Sequence, residues 1–373
     1  MVMQSTVKLE NFDPLAKVVK GKLRWSPFRF AMFVFSLNVV LDFGGALATH
    51  ALLTKSGHPG LLQDASALFV DFVQMPLISG YYIWSLQATK KLLEDFDESE
   101  VFVDKRSYRA NVDFVSRIAQ AKWVFGVAVI IAMTLTILWL GAFLNWFPPL
   151  MGDGWLYNSR VLPWLRVPMW FVVTYGLIFG LYNVGITIFA LRRFFRNQTI
   201  HLAPWHPDKC GGLSSISRYS ISLSYAIAIV GMMASILTIS AIRTHTWGNA
   251  RLLWLGDMVY LILAPSLFFL PLGTAHTAMK SAKSELLSFL AKRIEAQYEE
   301  LIKAEDIDGT VLAGKINRLE QLNKVYKITE EFPIWPFDVS SLRRFFAVTG
   351  APVVPALFSL LIDIMKAFFL HLK

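Results

Sequence analysis

WVFGVAVIIAMTLTILWLGAFLNWF, residues 123–147, contains no charged side chain. A hydrocarbon core about 30 Å thick is crossed by roughly 20 apolar residues in a helix, so this stretch is long enough to span a bilayer. Lipid offers no hydrogen bonds to an open backbone, which leaves helices and closed barrels as spanning structures. The run lacks the in–out alternation of a barrel strand, and a helix follows.

The same test applied outward finds six more spans. With Trp123–Phe147 the set is Phe28–Thr54, Ser66–Ala88, Val167–Leu191, Tyr219–Ile242, Leu252–Leu272 and Phe345–Leu370. Composition agrees: 55% hydrophobic, 17% charged, mean hydropathy +0.47. Soluble domains sit nearer half apolar and a quarter charged. The first span is too long for a signal peptide, carries Asp42 and has no small-residue cleavage site after it.

Lys and Arg set the orientation. They crowd into the N-terminal tail and the gaps after spans two, four and six. Only Lys55, Arg160, Arg166, Arg243, Arg251 and Lys373 fall on the other side, with Arg29 and Lys366 inside spans. The tail is therefore expected in the cytoplasm and the C-terminus outside. The net charge of +9 lies on the cytoplasmic loops, where anionic headgroups attract it and no nucleic acid is needed. The single Cys210 rules out an intrachain disulfide and falls on the reducing side. Trp155, Trp164 and Trp247 flank the short outer loops, at the depth of an aromatic belt.

The expected fold class is all-α: a polytopic bundle of seven transmembrane helices with a cytoplasmic helical hairpin between helices six and seven. Its parts are a tail over 1–27, a six-helix bundle over 28–275 with cytoplasmic loops 89–122 and 192–218, the hairpin over 276–338, and the seventh helix over 339–373. The hairpin rests on pattern. Leu286, Leu290, Ile294, Tyr298 and Leu301 recur at helical spacing, no proline intervenes between Pro271 and Asp306, and a second stripe runs through Val311, Ile316, Leu319, Leu322 and Val325. Span six should thus continue as a helix into the cytoplasm. Phe332-Pro-Ile-Trp-Pro-Phe-Asp338 then breaks the second helix in a stiff aromatic elbow.

Ionisable groups inside spans are costly unless paired or wet, and they often mark ion pathways. Asp42, Asp71 and Asp257 qualify, each also readable as a structural polar contact. In the seventh span Ser359, Asp363, Lys366 and Leu370 fall on one helix face. This stripe, with Leu357 and Phe358 as an apolar constriction, suggests a pore lining. The cytoplasmic loop His201–Gly212 gathers His206, Asp208, Cys210, Gly211 and Gly212. Its spacing fits no zinc site, so neither a metal nor another cofactor is expected. Its glycines suit a tight turn whose amides could cradle an anion, and Asp208 could instead cap the next helix. The usual soluble-enzyme signatures, from the nucleophile elbow to the Walker loop, are absent.

The loop His206-Pro-Asp-Lys-Cys-Gly-Gly-Leu213, with Trp335-Pro-Phe-Asp338 before a final apolar span, resembles an uncharacterised group of bacterial polytopic membrane proteins. That resemblance implies a bacterial inner membrane and no particular activity. The layout is also similar to the insect chemoreceptor-type seven-helix ion channels, which implies a tetramer, cytosolic anchor helices and a cation pore lined by the seventh helix. That family's aromatic and glutamine signature is missing from the final helix here. The first functional expectation is accordingly an oligomeric, cation-conducting channel embedded in lipid. The alternatives are an ion-coupled transporter or receptor using the intramembrane acids, and a membrane enzyme or lipid-handling protein using the His206–Gly212 loop.

Overall fold

The computed structural model describes residues 13–53, 57–98, 101–146, 154–197, 200, 208, 210–243, 247–302, 309–337 and 339–351. Among them there is no strand, only one isolated bridge between Phe102 and Ile200. The helices are α1 (Pro14–Ala16), α2 (Pro27–Ala48), α3 (Ala65–Phe69), α4 (Met75–Glu98), α5 (Lys105–Ala119), α6 (Lys122–Phe143), α7 (Leu162–Asn197), α8 (Ser214–Arg243), α9 (Trp247–Ile302), α10 (Gly309–Glu331) and α11 (Val339–Gly350). Four stretches are long and apolar enough to cross a membrane: Pro27–Ala48, Lys122–Phe143, Leu162–Arg196 and Tyr260–Ile302. The chain is thus an all-helical membrane protein.

Starts and stops follow local chemistry. Ser26 Oγ accepts from Arg29 N at 3.2 Å and Pro27 opens α2. Asp104 Oδ1 accepts from Arg106 N and Ser107 N at the head of α5. Asp64 does the same for α3 through Ala67 N. Between α3 and α4 the chain makes a π-helical turn, Val70–Gln74. Pro76 lies just beyond it, where its ring crowds the carbonyl one turn back and it offers no N–H.

The bundle faces the way a lipid-embedded one must. Along α6 the inward stripe is Val124, Ala128, Ala132, Thr136 and Leu140, four residues apart and mostly small. Its outer face is large and apolar: Trp123 is 71% exposed and Ile130 66%. In α2 the inward stripe is Phe30, Val34, Asn38, Asp42 and Ala46, with Val40 and Leu47 turned outward. Polar groups face inward and aliphatic groups outward, as small and polar helix contacts require in lipid.

α4 packs against α2, α7 and α8, while α6 covers α7. α9 is a single helix despite Pro265 and Pro271, and α10 lies back along it. The chain then turns at Phe332, where Lys283 Nζ donates to the carbonyls of Glu330 and Phe332 at 2.6 and 2.8 Å. His276 stacks on Trp335 at 3.9 Å, and its Nδ1 sits 2.9 Å from the Ile334 carbonyl. A carbonyl only accepts, so Nδ1 carries the proton. α11 returns along α8 and α9 through the Phe268–Phe345 stack and a Tyr260 hydroxyl donating to Thr349 O at 2.7 Å.

Candidate functional site

The bundle's most costly feature is Arg166, 2% exposed on α7. Its Nη1 donates to Asp42 Oδ1 of α2 and its Nη2 to Asp71 Oδ1 of the π turn. One planar guanidinium is forked across two carboxylates from separate elements, both buried. Met75 Sδ lies 3.8 Å from Arg166 Nη2 and from Asn38 Nδ2.

The π turn explains how Asn38 joins. In a regular α-helix Met75 N would donate to the Asp71 carbonyl. Here it donates to Val70 O, leaving Asp71 O to receive Asn38 Nδ2. A proline-induced irregularity thereby supplies a backbone acceptor in the interior, met by a side chain from a neighbouring helix.

With both acids ionised, the cluster holds one positive and two negative charges. Several of its polar atoms are buried without a partner among the described residues: Asp42 Oδ2, Arg166 Nε, Asn38 Oδ1 and, close by in sequence, Gln74 Oε1. Such atoms normally meet water or an ion. The arrangement can bind a small cation or a proton on the surplus carboxylate and can exchange the guanidinium between its partners.

Asp42 and Asp71 thus come together, although they lie on different spans. Asp257 lies in α9, and its side chain is outside the described residues. Leu357, Phe358, Ser359, Asp363 and Lys366 are also outside them, as are His201 and His206. The sequence reading is corrected in two places. Arg166, counted with the outer-loop charges, is inside the bundle, because a long side chain near a helix end can turn inward when acids wait there. Trp155, expected in the aromatic belt, is 1% exposed and packs in the core. A signal for Arg166 was present: it sits one residue before an apolar span, and two buried acids had no cation assigned to them.

In the loop before α8, Asp208 Oδ1 accepts from Cys210 N at 2.9 Å and Gly212 N at 3.1 Å, and Oδ2 accepts from Ser214 N at 3.2 Å. The amides that could have cradled an anion are held by this carboxylate at the start of α8. Gly211 (φ 66°) and Gly212 (φ 89°) occupy left-handed backbone, which a side chain would strain. Cys210 is buried. Comparison with protein-family models, with curated proteins and with solved structures finds no match for this chain.

Proposed function

We propose that the protein moves a monovalent cation or proton across the membrane through the interior of its own bundle, as an ion-coupled transporter does, with Asp42, Asp71 and Arg166 as the binding cluster. The observation that carries this is the forked pairing of one guanidinium with two buried carboxylates on separate elements. A purely structural pair needs one carboxylate per cation, and a second buried acid adds desolvation cost without a counter-charge. An arriving cation neutralises the surplus, and its departure restores both contacts to Arg166. Intramembrane acids of this kind mark ion paths.

The test is flux in proteoliposomes under imposed proton and sodium gradients. Asp71→Asn leaves a neutral one-to-one pair between Arg166 and Asp42, so the fold is expected to survive while flux falls by about tenfold or more. Wild-type liposomes indistinguishable from empty ones under every gradient would sink this reading.

A second reading keeps the oligomeric channel, with the seventh span on the axis. It is favoured by the length of α9 and by apolar residues left exposed on its cytoplasmic part and on α10, among them Phe289, Tyr298 and Val311. Its test is the subunit count in detergent, followed by reversal potentials of Asp363→Asn. A monomer, or an unchanged ion selectivity, excludes it.

A further inference from the structure

α8 packs on α9 and α4, and α7 packs on α4 and α9. Between α7 and α8 this leaves an open groove of about 540 Å³, walled by Tyr81 of α4, Gly176 and Gly180 of α7, Leu223 and Val230 of α8 and Leu267 of α9. Its surface is almost wholly apolar. Glycine makes the room: a Cβ on Gly180 would meet nothing within 4 Å. The mouth faces outward, since Leu181 on one lip is 56% exposed and Val230 on the other 42%.

One group in this wall is polar. The Tyr81 hydroxyl is buried and has no hydrogen-bond partner among the described residues, and its ring lies 5.0 Å from that of Trp84. Buried phenols usually find a partner, because an unmet donor out of water is destabilising. Two neighbouring helices mark the depth. A Cβ on Gly80 would lie 3.1 Å from the carbonyl oxygen of Pro27, the first residue of α2. The Phe125 ring, in the first turn of α6, is 6.1 Å from that of Tyr175. Tyr81 and Gly176 come directly after Gly80 and Tyr175, so the groove starts level with the heads of two helices long and apolar enough to cross a membrane. Lys20, Lys22 and Arg24 precede the first of these helices and Lys122 opens the second. Basic residues at span ends reach for the headgroups, and the ester carbonyls of a lipid lie just beneath those.

We propose that this groove holds one phospholipid of the surrounding bilayer, with an acyl chain against Gly176 and Gly180 and an ester carbonyl accepting from the Tyr81 hydroxyl. Neither an ion nor the Arg166 cluster takes part, so the site is independent of the ion path. The acyl chain supplies apolar contacts that the glycines do not, and the carbonyl supplies the acceptor that Tyr81 lacks among the described residues. A bare hydrocarbon would leave the phenol unmet, and a water-soluble ligand would gain nothing from the apolar wall.

The test is lipid retention. The detergent-solubilised protein is washed free of native lipid and offered either a diester phosphatidylethanolamine or the diether of the same headgroup and chain length. Native mass spectrometry then counts what stays bound. The diester should remain at one per chain and be held about three- to tenfold more tightly than the diether, which has no carbonyl. Tyr81→Phe should erase that preference, and Gly180→Leu, which fills the groove, should release both lipids. Equal hold on the two lipids by the unaltered protein, or a lipid still retained by Gly180→Leu, overturns the site. So does a lipid-free dimer, or a bound mass that is not a phospholipid. Should Gly180→Leu lose its sharp melting transition, the ester preference and its loss in Tyr81→Phe decide alone.

Discussion

Arg166 does what no loop arginine could, because its two partners lie 124 and 95 residues away in sequence. Removing a buried ion's partner is far costlier than removing an exposed one. Arg166→Ala strands two carboxylates and should lower stability by about 3–5 kcal/mol in detergent thermal unfolding, whereas Asp71→Asn should cost much less. Arg166→Lys should fall near the alanine variant, since one ammonium cannot fork across two helices. Asp208 belongs to a milder class. Asp208→Ala frees three amides at the head of α8 and should cost about 1–2 kcal/mol, with Asp208→Asn recovering part of it. A loss of activity in Asp208→Ala without any fall in melting temperature would argue for chemistry instead of capping. The acids at 42 and 71 were legible in the sequence as suspects, since a charge in an apolar run stands out. Their pairing was not, because helical periodicity fixes which face a residue occupies and says nothing about the face opposite.

Among the elements, the N-terminal segment is the one expected to respond to pH. Burial pushes the Asp13 carboxyl above the ordinary carboxylate range, against the pull of Tyr82, Tyr175 and two amides. A group raised in the docked state favours docking when protonated. That contribution is complete below the ordinary carboxylate range and is lost as pH rises through the raised value. Cleavage by trypsin after the exposed Lys22 should therefore quicken with rising pH, relative to an Asp13→Asn control whose profile stays flat. Matching profiles for the two proteins would remove Asp13 as the sensor. The helical course of α9 past span six could be read from its stripe and the absence of proline after Pro271. The π turn could not: Pro76 lies within an apolar run read as one plain span, and a proline says that the ladder must yield but not whether by a kink, a break or an added residue.

At the scale of the whole molecule, Arg166 lies in the interior and so drops out of the loop-charge count from which the orientation is expected. Seven spans with the N-terminus inside predict that a periplasmic reporter fused after residue 373 is active and one fused after residue 302 is silent. Two active fusions, or two silent ones, would remove the seventh crossing. On the outer surface of α6, Ile130→Lys should hinder insertion by about 2.5–3.5 kcal/mol, read as loss from the membrane fraction.

The amino-acid sequence by itself determined that this chain is helical and belongs in lipid. That much is local: a long apolar run must close its own backbone hydrogen bonds where no water reaches, and only a helix does so within one segment. Tertiary structure alone decided that Asp42 and Asp71 share Arg166, that Asn38 takes the carbonyl freed by the π turn, and that Asp13 is drawn in between Tyr82 and Tyr175. Each of those contacts joins residues far apart in the chain. Their partners are chosen by which helix faces meet, and by the cost of leaving any buried charge or hydroxyl unpaired once they do.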